Sequence, residues 1–361
     1  MKNKHRTNYE DTLLLKLIHD KVQNELVISP LKTTILLSLK LVFYAGGMGL
    51  TYYYMLKSST HLESILLYTL FGFVTLLFAF NFGHDLSHNT IFKSKKINHL
   101  GFVMVYTLVG AHAEAWKIRH INSHHFAPNV EDYDSDLQIT SLIRVIPDSS
   151  LKKHHRLQHL YAPFLYTFYS LYWIFYKDVV LLFGNDPFVP KKTPGYYLSF
   201  LTQKAIYFAI MILIPYLLTD WNVLLLIECF VFMHLFISLF LLFTFFITHH
   251  VESTTYPKTD SSGIIEMSWV RNQIQSSNDF HPFSHLANFI FGGFNNHIAH
   301  HLFPHVNHIY YPRLNRILYA TLAQHGIRVN RTTFFGGITS HLLHLKTMGT
   351  SGELNKKMNV C

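Results

Sequence analysis

The sequence predicts an all-α integral membrane protein: four transmembrane helices in two hairpins, plus a cytoplasmic helical cap that carries a metal site. Three observations lead there. Apolar residues make up 49% of the 361-residue chain and charged residues only 14%, which is sparse for a soluble protein of this size. Four segments, 34–56, 63–83, 197–219 and 222–247, are apolar and long enough to cross about 30 Å of hydrocarbon, which takes about 20 residues each. Many of the 26 histidines fall in short clusters beside these segments or in the C-terminal third.

The four segments form two pairs. The turns inside the pairs, Lys57 to Glu63 and Thr219 to Asn222, hold a single Lys, whereas residues 1–32, the 84–196 loop and the C-terminal third hold nearly all the other Lys and Arg. Positive charge accumulates on the cytoplasmic side, so both termini and every histidine cluster are expected there, in a bacterial inner membrane or the endoplasmic reticulum. The net charge of +9 is read as orientation and contact with anionic headgroups, not as a nucleic-acid footprint. Cys229, inside a span, and Cys361, the last residue, are not expected to pair. No cleavable signal is expected in the charged stretch Met1 to Lys32, leaving the first span as the insertion signal. The expected divisions are an N-terminal segment (1–32), a membrane domain (33–250) that includes the 84–196 loop, a cap (251–345) and a polar, disordered tail (346–361).

Taken in order, residues 5–26 read as a helix with an apolar stripe of Leu13, Leu14, Leu17 and Ile18, lying on the membrane surface or against the cap. The second span runs directly into HDLSH, residues 84–88. Residues 99–116 are too short for a full crossing, and a crossing would put the next cluster on the opposite side. They are therefore read as re-entrant or interfacial, with His112 and Glu114 either functional or facing the aqueous layer. After HINSHH, residues 120–125, comes an acidic run of Glu131, Asp132, Asp134 and Asp136. It lacks the glycine and closing glutamate of a calcium loop and is read as a solvated loop tied by hydrogen bonds to the site. Residues 151–183 look interfacial, with His154, His155 and His159 at the surface. The last span ends in His249 and His250, and HIAHH, residues 297–301, precedes an amphipathic helix over 310–327.

In an α-helix His84 and His88 share a face, as do His120 and His124, and His297 with His300 and His301. Imidazoles converging from three helices point to metal. The clusters hold His84, His88, His120, His124, His125, His297, His300 and His301, and His249 makes nine. A zinc ion takes four ligands. Nine suit two ions of four to five each, and imidazole suits iron as well as zinc. A metal-binding transporter is the rival class. It predicts ionisable groups in mid-span, where only Lys40, Glu228 and His234 occur, and the sequence alone gives no account of these three.

These residues resemble the membrane fatty-acid desaturases and related hydroxylases. The likeness extends to Trp116 in W-x-x-x-H-x-x-x-H-H, to QHLYAPFLY (158–166), to HHVES around His249, to Trp269 and Gln273 in W-x-x-x-Q, and to HHLFPHV (300–306). These segments are similar to the front-end, linoleoyl-CoA-desaturase-like branch, and the resemblance spans roughly residues 35–325. It implies that the metal site is a di-iron site, with two iron ions held by the nine histidines, O2 as co-substrate, and a cis double bond placed in a fatty acyl lipid or acyl-CoA. It also implies an acyl tunnel, with Trp116, Tyr161 and Trp269 as substrate contacts. Asp85, beside His84, would orient a ligand imidazole or else be a solvated helix-end charge. The 32 residues before the first span hold no HPGG haem segment, so electrons are expected from a separate ferredoxin or cytochrome-type protein with its reductase. His297 stands where front-end enzymes generally carry Gln, which leaves double-bond position open. A lipid or carotenoid hydroxylase or ketolase with the same metal site is the alternative.

Overall fold

The computed structural model describes residues 4–137, 140–188 and 192–358. The described chain is mostly helical; its named strands, Asp279–Phe280 and Arg331–Thr332, form one short parallel pair. Four helices are long and apolar enough to cross a membrane: α2 (Pro30–Lys57), α3 (His61–Ser87), α8 (Pro194–Leu218) and α9 (Val223–His249). Each begins on a capping side chain: Ser29, Thr60, Thr193 and Asn222 accept from the backbone N–H three residues on. Pro30 and Pro194 open two of them, where a missing N–H costs nothing.

Helix α3 packs between α2 and α9. A core including Tyr68, Phe71, Leu76, Met233 and Ile237 fills the contact. Gly72 lets α9 approach, because a Cβ there would collide with the Met233 side chain. The outer face of α2 exposes Leu39, Val42, Phe43 and Leu50, an apolar surface suited to hydrocarbon. The three ionisable groups of the spans are partnered. Lys40 donates to His308 Nε2 at 2.7 Å, Glu228 meets His61 at 3.0 Å, and His234 lies 2.7 Å from both the Ser170 and Tyr207 hydroxyls.

Between α3 and α8 lie α4 (Lys95–Leu108), α5 (Ala113–Arg119), α6 (Gln158–Tyr166) and an irregular helix α7 (169–183). None of these is long and apolar enough to cross a membrane. His112 and Glu114 pair at 3.0 Å, and Glu114 also accepts from Ser199 and Gln203 of α8, which pins the loop to that helix. His155, expected at the surface, is buried against the Ser141 carbonyl.

The remaining elements are α1 (Tyr9–Glu25), α10 (Trp269–Gln275), α11 (His285–Phe291), α12 (His297–Leu302), α13 (Tyr311–Gln324) and α14 (Phe334–Met358). Helix α1 buries Leu14, Ile18 and Val22 against α10 and α13, so its apolar stripe faces protein, while Leu13 stays exposed. The polar tail expected from residue 346 is, through Met358, a continuation of α14, which is anchored where His341, His344 and Leu345 pack beneath α6 and α9. Residues 359–361, including Cys361, lie outside the described residues.

Candidate metal centre

The ends of α3 and α9 bring His84 and His249 to the same end of the helix stack, and the loop and α12 supply the rest. The imidazoles fall into two groups whose nitrogens lie within 4.8 Å of one another: His84, His88, His120 and His300, and then His124, His249, His297 and His301. His125 stands at the border. Its Nε2 is 3.1 Å from His120 Nε2, and its ring is 4.5 Å from that of His300 and 4.6 Å from that of His301. All nine histidines singled out from the sequence are thus gathered in one place. His250 is not among them, because its Nδ1 turns to the Tyr256 hydroxyl at 2.9 Å.

The second cluster departs from the expected α-helical pairing of His120 with His124. Residues His120–His124 form a widened π-type turn closed by a bond from His125 N–H to the His120 carbonyl at 3.0 Å. The extra residue in the turn carries His125 toward His120 and sends His124 to the other group. A similar turn, Ala79–Gly83, lies just before His84. In α12 the ordinary spacing holds: His297 and His301 enter one group, and His300 the other.

Three of the outward-facing nitrogens are fixed. His249 Nδ1 donates to the Ser276 carbonyl at 2.8 Å, His301 Nδ1 to Gln273 Oε1 at 2.8 Å, and His124 Nδ1 to the Asp134 carboxylate at 3.1 Å. A carbonyl oxygen only accepts, so His249 and His301 hold their protons on Nδ1 and present a lone pair on Nε2. Those two Nε2 atoms are 3.3 Å apart, and His297 Nε2 is 2.6 Å from His249 Nε2. Burial, reinforced by the neighbouring imidazoles, holds His297, His300 and His301 well below the ordinary histidine value, which favours neutral rings free to act as ligands. His88 is pushed down to about 4 by the same burial. Burial also works against a charge on His124, but Asp134 outweighs it and raises that ring. Lone pairs at these separations repel unless a cation lies among them. In the other group His84 Nε2 and His300 Nε2 are buried and lack a hydrogen-bond partner among the described residues. The residues fit a metal in both groups, with Nε2 as the ligand atom.

Asp134 also accepts from the backbone N–H groups of Asn129 and Asp136, so the acidic loop is tied to the site as expected, through a buried carboxylate. Asn129, at φ 62°, donates to the carbonyls of His249, Thr255 and Ser276 and holds the loop on the end of α9. Sequence reasoning missed Asn129, and it quoted Gln273 without giving it a role. The spacing W-x-x-x-Q was the available signal: Trp269 opens α10, and one turn later Gln273 reaches His301.

Three expectations are corrected. Asp85 does not orient a histidine of the clusters; it accepts from His308 Nδ1 at 2.7 Å and from Asn307 at 2.6 Å, because helix geometry turns it away from the His84 face. Tyr161 donates to the Leu142 carbonyl at 2.6 Å and lines neither cavity beside the histidines. Trp269 packs into the apolar cluster shared by α1, α10 and α13, away from those cavities. Trp116 stacks on His120 with ring centroids 4.3 Å apart and walls both a cavity of about 70 Å³ that His120, His124, His249 and His297 line and an apolar one of about 60 Å³ reached by His84.

Residues 62–333 match the family model described as fatty acid desaturase. The chain belongs to the fatty acid desaturase family. Among its relatives, an acyl-lipid (8-3)-desaturase of Physcomitrium patens is 30% identical over 320 residues, 86% of this chain and 66% of that protein. The sn-1 linoleoyl-lipid 6-desaturases of Arthrospira platensis and Synechocystis are 27% and 29% identical, over 78% and 75% of this chain and 77% of each of theirs. This desaturase-family chain thus spans just under two thirds of the first relative and more of the other two. Membership implies a metal cofactor, and the paired histidine groups have the residues to hold one.

Proposed function

We propose that this protein is an O2-dependent fatty acyl desaturase that holds two iron ions, one in each histidine group with His125 completing the first. The observation that carries the reading is the convergence of imidazole nitrogens from nine histidines, three of them with Nδ1 already engaged and Nε2 turned inward. Iron bound there would supply the oxidising power to remove two hydrogens from adjacent methylenes with O2, which no side chain can do. The chain's own residues do the rest. Asp134, Gln273 and the Ser276 carbonyl hold three imidazoles in one tautomer and orientation. Trp116 and Phe245 wall both cavities and hold an acyl chain against the histidine face, while Leu76, Ile237 and Leu241 keep the inner one free of water.

In this reading α2 with α3 and α8 with α9 form two membrane hairpins, and the cap over the histidines faces the cytoplasm. The Lys and Arg distribution and the position of His84 and His249 at the same ends of two spans support it. The names of the relatives favour an acyl lipid over a soluble carrier as substrate. Electrons come from a separate ferredoxin or cytochrome-type donor with its reductase. The test is gas chromatography and mass spectrometry of fatty acids from a host expressing the chain, beside a His124→Ala, His125→Ala variant. New double bonds absent from the variant are expected. Hydroxylated products, or no product in a host that supplies electrons and substrate, would overturn the reading.

A further inference from the structure

The cavity beside the histidines has a second neighbour. It shares Tyr169 and Lys177 with a larger outer cavity of about 250 Å³, walled also by Arg119, Val180 and Asp186. On its other side it shares Trp116, Trp173 and Phe245 with the inner apolar cavity. The three adjoin in a row: a wide polar mouth, a narrow middle cavity along His120, His124, His249 and His297, and an apolar inner end between α3 and α9. The inner end offers little besides hydrocarbon, with His84, Tyr106 and Ser170 as its polar residues apart from the Trp116 and Trp173 indoles. The mouth holds the cations.

Of the two cations, Arg119 is committed. Its guanidinium donates to Ser135 Oγ at 3.1 Å and to the Ser135 carbonyl at 2.6 Å, and lies 3.7 Å from Asp186. Lys177 is held more loosely. Among the described residues its ammonium has one hydrogen-bond acceptor, the Tyr169 hydroxyl at 3.3 Å; it rests over the Trp173 and Tyr169 rings at 5.2 and 5.7 Å, and attracts the Asp136 carboxylate across the cavity without a direct ion pair. Lys177 sits at the end of a π-type turn, Trp173–Lys177, which sets Trp173 and Lys177 on the same cavity. The exposed side chains around the mouth, Tyr172, Val179, Val180 and Phe183, are apolar and suited to a lipid layer.

Resting on the desaturase reading, we propose that Lys177 is the anchor for the carbonyl end of the acyl substrate, with the methyl end in the apolar inner cavity. An ammonium with two unused donors, placed where a narrow cavity meets a polar mouth, suits an ester carbonyl, carboxylate or phosphate oxygen. The anchor fixes how many carbons lie between the head and the histidines. Lys177 is therefore a specificity-determining residue, and it directs which bond is oxidised without touching the metal.

The test compares wild type with Lys177→Met, Lys177→Gln and Lys177→Arg. Binding of oleate, 1-oleoyl-lysophosphatidylcholine and oleoyl-CoA to the purified iron-loaded protein is measured beside product analysis. Met and Gln are expected to keep the iron content, weaken at least one probe about tenfold or more, and spread the double bond over more than one position; Arg is expected to restore both. The probe most weakened names the head: a carboxylate, a glycerolipid or a phosphorylated carrier. Unchanged binding of all three probes with an unchanged double-bond position overturns the proposal. A wild type that makes no double bond, yet loses acyl affinity on Lys177→Met, would keep the anchor and remove the desaturase reading.

Discussion

Replacing Asp134 by Asn keeps the shape of the side chain and removes its charge. The carboxylate accepts from His124 Nδ1 and from two backbone N–H groups, those of Asn129 and Asp136. An amide has one oxygen, so at least one donor would face an NH2 group, and burial prevents water from replacing the lost acceptor, at a cost of about 1–3 kcal/mol. His124 would also lose the charge that raises its basicity and fixes its tautomer. Changes to partners of this kind weaken metal binding about 10- to 100-fold, or about 1.4–2.8 kcal/mol. The loss should be selective: the His124, His249, His297 and His301 group empties first under a chelator titration followed by metal analysis, while the other group stays filled. Simultaneous release of both ions at the wild-type chelator concentration would refute the role given to Asp134.

Three further outcomes are expected. Gly292 takes φ 57° where a Cβ would strike the Phe80 carbonyl, so Gly292→Ala should push the turn before His84 out of place and lower stability by about 2 kcal/mol or more, read as a lower melting temperature. Burial works to raise the Glu114 carboxyl from its ordinary 4.5, but bonds from His112, Ser199 and Gln203 outweigh it and hold it at about 2. A depressed carboxylate stabilises the fold fully above about 4.5 and progressively less as pH falls toward 2, by about 3 kcal/mol at most. The melting gap between wild type and Glu114→Gln should therefore close across that window, and a gap independent of pH would contradict the bonding. His308 joins Lys40 to Asp85 in the interior, so His308→Ala leaves Lys40 without its hydrogen bond and Asp85 with Asn307 alone, and should cost about 3 kcal/mol or more, measured by chemical unfolding in detergent.

The spans and the histidine clusters were legible because both are local patterns: about 20 apolar residues, and imidazoles three to five apart. How the imidazoles divide was not. An i, i+4 rule pairs His120 with His124, and only the π-type turn, which leaves no mark in composition, hands His124 to the other group. Asp134 was visible as part of an acidic run, yet nothing in sequence separates it from Asp132, which is exposed and bonds Thr259. Gln273 and Asn129 reach histidines 28 and 120 residues away, a proximity that only tertiary packing creates. The same holds for the ionisable groups of the spans. Lys40, unexplained in sequence, finds His308 across 268 residues. Tyr161 and Trp269 show the converse: aromatic residues in family-like segments serve packing and a loop bond, while Trp173, Phe245 and Lys177 line the cavity beside the histidines.

The most direct measurement is metal analysis with iron K-edge absorption spectroscopy on protein produced with iron and purified anaerobically. The account predicts two irons per chain, with a first shell of nitrogen or oxygen at about 2.1 Å and outer scattering from several imidazole rings. His300→Ala and His301→Ala should each weaken a different one of the two. A single ion per chain, or two ions without imidazole scattering, would contradict it.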